Sequence, residues 1–395
     1  MQIHPFSISR LPRIEFGDGA LRTLPTLARR YGSHALLVTG AQSFQTSPNW
    51  NKLLARFTAE GVRCEMLRIT GEPSPGRVDD AVRQFRAQSF DVVIGIGGGS
   101  ALDAAKAIAG LLIPGNSVMD HLEGIGPELP YIGPAVPFIA VPTTAGTGSE
   151  ATKNAVLSVQ GASGFKKSFR DEKLVAEIAL VDPGLLVTCP PEVIAANGMD
   201  AFTQLLESYV SSKATPFTDS LAWGGMKGAR DGLLALYRNT GDAQARSRMA
   251  YAALVSGITL AQVGLGSVHG LAAPLGAFFT IPHGVVCGTL VATATRVNIE
   301  SLLASNPQHP ALEKYALVGR LLSQRQELGQ REAHAALLDR LEAWTDVLSL
   351  PRLRRYAVGA PDIERIVANS RGSSMKTNPV VLTDLEIASI LQARL

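Results

Sequence analysis

The sequence predicts two architectures in one chain, a mostly parallel α/β domain over residues 1–183 and an all-helical domain over residues 184–395. Three observations predict this. Short runs rich in Val, Ile and Leu alternate with helical apolar spacing in the first half; one of those runs leads straight into a glycine-rich turn and a strong helix former; and after Asp182-Pro183 the strand signals stop while long helical patterns follow. With 395 residues the chain also exceeds the roughly 250–300 at which single hydrophobic cores stop growing.

Strands are expected at 34–39 (HALLVT), 62–69 (VRCEMLRI), 91–96 (DVVIGI) and 137–141 (PFIAV), with helices between them at about 48–60, 76–89 and 101–112. A less regular stretch, about 150–180, reads as extra strands and a loop. Helical patterns then follow at about 191–211, 215–235, 244–262, 310–325 and 331–348. The segment Met249 to Thr295 contains no Asp, Glu, Lys or Arg. Pro274, Pro282, His269, His283 and many Gly, Ser and Thr residues interrupt it, whereas a membrane span needs about 20 predominantly apolar residues. A buried helix pair around a polar site is expected instead.

Composition narrows the function. Apolar residues make up 46% of the chain and charged residues 18%, as in ordinary globular proteins, and 37 Lys+Arg against 34 Asp+Glu leave a net charge of +3. Without a polybasic run, neither a nucleic acid nor an anionic membrane is an expected partner; a small molecule is. Cys64, Cys189 and Cys287 lie far apart with no CxxC spacing, which indicates neither a disulfide framework nor a thiolate zinc site and fits a reducing cytoplasm. The N-terminal residues lack the charged start and apolar stretch of a signal peptide.

Two turns could hold a nucleotide. In Gly95-Ile-Gly97-Gly98-Gly99-Ser100-Ala-Leu-Asp103 a strand runs through glycines into a helix, whose N-terminal N–H groups and dipole suit a pyrophosphate. The spacing misses the dinucleotide fingerprint by one position, since Ser100 stands where the third glycine belongs, and a tight strand-to-helix connection would use the same residues. The second turn, Pro142-Thr143-Thr144-Ala145-Gly146-Thr147-Gly148-Ser149, also follows an apolar strand and offers hydroxyls as a second wall. In the helical half, Asp200 and Gln204 fall one turn apart on one helix face. With His269 and His283 they suggest a divalent metal, because imidazole and carboxylate donors with an open position suit zinc or iron. A histidine in an apolar stretch can equally be a satisfied core residue.

At this point the chain resembles the iron-containing (group III) alcohol dehydrogenase family, which includes zinc-dependent glycerol dehydrogenases. The likeness runs nearly end to end, through RIEFGDGAL, GIGGGSALDAAKAIA, VPTTAGTGSEAT, ALVDPGLL, GMDAFTQLLESYVS, HGLAAPLGAFFTIPHGV and SSMKTNPVVLTDLEI. The resemblance implies a Rossmann-like nucleotide-binding domain, a helical metal-binding domain of the dehydroquinate synthase-like kind, reaction in the cleft between them, and assembly as a homodimer or larger. It implies NAD or NADP as cofactor and iron or zinc as metal. Carried over, Gly97, Gly98, Gly99 and Ser100 would hold the pyrophosphate, with Asp103 on the helix behind them. Thr143, Thr144 and Thr147 would line the nicotinamide side, Lys166 or its neighbour Lys167 would lie near the ribose, Leu180 would complete the cofactor set, and Gly40 would face the adenosine ribose. Asp200, His269 and His283 match metal ligands and would carry catalysis.

The sequence departs from the family pattern in three places. Gln204 stands where the iron-binding branch has a histidine, and its neutral oxygen is a weaker donor. Ala273 replaces a histidine thought to relay protons, so proton exchange must use another route. Gly40 replaces the aspartate that, in many NAD-using members, accepts from the ribose 2′-OH and repels a 2′-phosphate. Its neighbours Gln42 and Ser43 offer only neutral donors. The expectation is reversible hydride transfer between NAD(P) and a small alcohol, aldehyde or ketone, assisted by a metal. A metal-independent carbonyl reductase of the same fold and a non-catalytic nucleotide-binding protein are the alternatives. A sugar-phosphate cyclase would need basic residues by the metal that the sequence does not supply.

Overall fold

The computed structural model describes residues 5–41 and 44–395; Gln42 and Ser43 lie outside the described residues. The chain divides into two compact units. One comprises Ile8–Val159 and Lys166–Cys189; the other comprises Pro190–Leu395, Gln160–Phe165 and the described part of Met1–Ser7. The expected boundary after residue 183 falls just inside the first unit. The reason is local: the Asp182 carboxylate accepts the backbone N–H groups of Gly19, Leu21 and Gly184, tying the short 3₁₀ helix Pro183–Thr188 to the start of the α/β unit. Residues Gln160–Phe165 join the helical unit, where Gly161 N–H donates to the Ala277 carbonyl at 3.1 Å.

The α/β unit is built on β1 (Arg13–Phe16), β2 (His34–Thr39), β3 (Arg63–Arg68), β4 (Val92–Gly97), β5 (Phe138–Pro142), β6 (Asn154–Val159), β7 (Phe165–Arg170) and β8 (Ile178–Val181). Between them run α1 (Leu24–Arg29), α2 (Pro48–Ala59), α3 (Pro75–Phe85) and α4 (Gly99–Leu111). Six strands form one sheet in the order β1-β8-β5-β4-β2-β3, every pair parallel, while β6 and β7 pair separately. Strands β4 and β2 are buried along nearly all their length, which explains why they read as continuous apolar runs. The chain leaves β2 toward β3 on one side and resumes with β4 on the other, so the sheet order reverses between β2 and β4. Ligands of open α/β sheets bind beyond the strand C-termini at such a point.

The helical unit contains α5 (Pro191–Val210), α6 (Pro216–Arg238), α7 (Ala243–Val263), α8 (Ser267–Phe278), α9 (His283–Ser305), α10 (Pro310–Ser323), α11 (Gln330–Val347), α12 (Ile363–Ala368) and α13 (Asp384–Gln392). Helix α5 is its axis: α6, α7 and α9 pack against it, and from Met199 to Val210 every residue is buried. A helix buried on all sides belongs in the middle of a bundle. Among the described residues no single helix is long and apolar enough to cross a membrane; α7 and α8 together would be, but they meet at a 99° bend. The charge-free stretch is therefore the end of α7, all of α8 and the first half of α9, wrapped around polar groups from α5.

Candidate metal and cofactor site

The nucleotide candidates gather at the reversal point of the sheet. Thr39 pairs with Ile96 and Gly97 with Pro142, so the C-terminal ends of β2, β4 and β5 stand side by side. Beyond them Gly40 N–H donates to the Ile96 carbonyl and Thr143 N–H to the Gly97 carbonyl at 2.9 Å. Gly98 is the N-cap of α4 and has no side chain to occupy the first-turn N–H groups, and while Ala101 N–H donates to the Gly98 carbonyl, those of Gly99 and Ser100 suit an anion. Gly99 is glycine for want of space: a Cβ there would lie 2.8 Å from the Thr147 side chain. The two expected turns thus face each other closely, with Gly98, Gly99, Ser100, Thr143, Thr144, Thr147 and Gly40 all half-buried.

The remaining cofactor candidates sit differently. Asp103 accepts a hydrogen bond from Ser149 Oγ at 2.5 Å, so it braces the second turn against α4. Lys166 is ion-paired with Glu72 at 3.0 Å, and Lys167 lies beside Gly124. Leu180 has no exposed surface; it packs with Leu21, Ile139 and Ile178 in the core beneath the sheet, and its side chain supports the strand.

In the helical unit, Asp200, Gln204 and Glu207 recur at helical spacing along α5. His269 lies in the first turn of α8 and His283 opens α9. Gly284 lets α9 reach α5 here, since a Cβ would stand 2.5 Å from the Ala196 carbonyl, one turn before Asp200. As a result His269 Nε2 is 3.3 Å and His283 Nε2 3.7 Å from Asp200 Oδ1. Cys287, one turn after His283, completes a group in which one ligand atom from each of Asp200, His269, His283 and Cys287 lies within 4.8 Å of all the others.

The surroundings favour a cation. His269 donates Nδ1–H to Glu207 Oε2 at 2.6 Å, and Glu207 Oε1 accepts the Val268 N–H at 2.7 Å, so one carboxylate caps α8 and turns His269 Nε2 toward Asp200. Asp200 is fully buried and its Oδ2 has no hydrogen-bond partner among the described residues. An orphaned carboxylate oxygen is costly unless a ligand satisfies it. Burial alone would raise the Asp200 pKa, but the His283 and His269 rings outweigh it and hold the carboxyl below its ordinary value. Burial likewise opposes charge on His269, yet Cys287, Glu207 and Asp200 overcome it and raise that pKa. With O, N and N donors, an orphan oxygen and a carboxylate-oriented imidazole, these residues fit a divalent metal.

Gln204 is buried, and its Oε1 accepts the Ser256 hydroxyl at 2.7 Å, so the oxygen expected as a donor already has a partner. Ala273 lies on α8, one turn beyond His269. Sequence reasoning missed Glu207 and Cys287. Glu207 was visible as the third member of the α5 face, whereas Cys287 stands one helical turn from His283 only because His283 opens α9.

The α/β unit thus offers glycine and hydroxyl turns at the reversal point of its sheet, and the helical unit a buried donor set that fits a divalent metal. Residues 12–183 match the family described as iron-containing alcohol dehydrogenase, and residues 194–395 match its C-terminal region. The chain belongs to the iron-containing alcohol dehydrogenase family. It is 31% identical to an NAD-dependent methanol dehydrogenase of Bacillus methanolicus, over 96% of this chain and 97% of that one. It is 30% identical to an NADPH-dependent butanol dehydrogenase of Clostridium saccharobutylicum, over 79% and 77% of the two chains. Among solved structures, a 1,3-propanediol oxidoreductase superposes with a TM-score of 0.89 at 26% identity, over 99% of this chain and all of that one.

Proposed function

We propose that the chain catalyses reversible hydride transfer between NAD(P) and a small alcohol, aldehyde or ketone, with Asp200, His269 and His283 holding a divalent ion for the substrate oxygen. The observation that carries the metal part is the buried Asp200 carboxylate, whose Oδ1 lies 3.3 and 3.7 Å from two imidazole Nε2 atoms while its Oδ2 is orphaned. Bound there, the ion would act as a Lewis acid toward the alcohol or carbonyl oxygen.

The chain's own groups have separable tasks. The N–H groups of Gly98, Gly99 and Ser100 at the start of α4 would bind the pyrophosphate, and Thr143, Thr144 and Thr147 would position the nicotinamide end. Glu207 fixes the His269 tautomer. Ala273 can carry no proton, so proton exchange would pass through water at the 25% exposed His283 side chain. Gly40 brings no carboxylate to the adenosine ribose, which supports acceptance of both cofactors; the relatives' names include both.

A homo-oligomer and a cytoplasmic location belong to the same reading. β1 is an edge strand with Ile14 39% and Phe16 42% exposed, a surface that a second chain would cover, and all three cysteines are free. The test is to load the metal-free protein with Zn²⁺ or Fe²⁺ and follow nicotinamide absorbance over a panel of primary alcohols and aldehydes with each cofactor. Turnover that depends on added metal supports the reading; full turnover without metal would establish the metal-independent reductase.

A further inference from the structure

Cys287 lies outside the ligand set expected from sequence, and its position is that of a donor. A metal at roughly 2.0–2.2 Å from nitrogen and oxygen and 2.3 Å from sulfur has tetrahedral edges of roughly 3.3–3.6 Å between N and O and roughly 3.5–3.7 Å between N and S. Four edges of the cluster match these or exceed them only slightly. Asp200 Oδ1 stands 3.3 and 3.7 Å from the two imidazole Nε2 atoms, and Cys287 Sγ stands 3.5 and 3.8 Å from the same two atoms. A buried cysteine usually serves as a small apolar filler. Here its sulfur lies within 3.8 Å of both imidazole Nε2 atoms, in the group that holds the orphaned Asp200 carboxylate, while the Oε1 of Gln204 accepts from Ser256.

We propose that Cys287 supplies a thiolate to the ion held by Asp200, His269 and His283, in the role a fourth histidine would play at position 204. The proposal rests on the metal-assisted reading above. Coordination forms a metal–sulfur bond and releases the thiol proton to solvent. Two anionic donors then balance a divalent charge, and the soft sulfur favours zinc or cobalt over magnesium or manganese.

Metal-free, full-length protein titrated with Co²⁺ should develop an intense near-ultraviolet thiolate-to-cobalt charge-transfer band that saturates at a single equivalent. The band should survive in a Cys64→Ala, Cys189→Ala double variant and vanish in Cys287→Ala. Zn²⁺ affinity of Cys287→Ala should fall by about a hundredfold, more than the lower end of what an outer partner is worth. Should Cys287→Ala fail to fold, the spectra of the wild type and the double variant still decide. Co²⁺ binding to wild type without the band, a band that persists without Cys287, or unchanged Zn²⁺ affinity overturns the proposal and leaves the metal-assisted reading standing. Alcohol oxidation by a wild-type protein that binds neither ion would overturn both.

Discussion

The two units each bury a polar cluster, and the clusters are opposites. In the α/β unit, Lys106 is fully buried and its Nζ donates to the Ser149 carbonyl at 2.8 Å, the Thr152 hydroxyl at 2.9 Å and the Asn154 carbonyl at 2.7 Å, with Ser149 Oγ at 3.2 Å. Asp103 accepts from Ser149, and Glu150 is buried alongside. In the helical unit, Asp200 is buried as deeply and keeps one oxygen without a partner. A satisfied buried network rigidifies a fold, whereas an unsatisfied one costs stability that only a ligand returns. The first cluster is thus a brace, locking the second nucleotide turn onto α4, and the second keeps an orphaned carboxylate oxygen of the kind that a cation would satisfy.

Substitutions should separate these roles. The largest effect is expected for Asp200→Asn, which keeps the volume and removes the charge. The specificity constant should fall by about 10³-fold or more, near 4 kcal/mol at 1.36 per decade, with metal retention lost. Kinetics and elemental analysis check it; normal metal content would contradict a metal role for Asp200. Lys106→Met should do the reverse, costing about 3–5 kcal/mol of stability by stranding Asp103 and the carbonyls, while Zn²⁺ affinity persists. Urea unfolding together with metal titration measures both.

The brace also predicts a pH dependence. Burial pushes Glu150 up to about 7 from an ordinary 4.5, Lys106 moderating the effect, and burial pulls Lys106 down to about 8 from 10.5. Between about pH 4.5 and 7 the folded state therefore holds a proton on Glu150 that the unfolded chain has released, so this contribution to stability is complete below 4.5 and lost as pH passes 7. Glu150→Gln, which mimics the protonated form, should match wild type at low pH and become the more stable protein by a few kcal/mol near neutrality. A difference that does not change with pH would mean that Glu150 titrates alike in the folded and unfolded states.

Much of this was legible in the sequence, for reasons visible residue by residue. The strand at 34–39 and the helices beginning near 48, 191, 216 and 310 announced themselves because apolar period and proline starts agree there. β1 and β8, four residues each, are too short for periodicity to mark. Helices α8 and α9 are buried nearly all round, so no face stood out, and Cys287 gained meaning only once His283 was known to open a helix. Asp200, His269 and His283 were legible by type alone, since an aspartate and two histidines in apolar surroundings need a reason. The Gln204 to Ser256 bond joins residues far apart in sequence and has no local signature.

The smallest expected effect lies in the α/β unit, beside the brace but independent of it. Gly40 follows β2 at the reversal point of the sheet, half-buried, and a Cβ built there meets nothing within 4 Å. Its backbone N–H is held by the Ile96 carbonyl, so an aspartate could be accommodated without rearranging the turn. Such a carboxylate would accept from an adenosine 2′-OH and repel a 2′-phosphate carrying roughly −1.5 to −2 charge. Wild type, which has neither effect, should use NAD and NADP with similar specificity constants. Gly40→Asp should shift the ratio toward NAD by about tenfold, or about 1.4 kcal/mol, almost wholly through a higher KM for NADP. Because the brace remains intact, urea stability should not change. Wild type that already rejects NADP by a hundredfold would place the discrimination on a residue other than Gly40, and a variant that loses NAD and NADP equally would show that the side chain blocks the adenosine site outright.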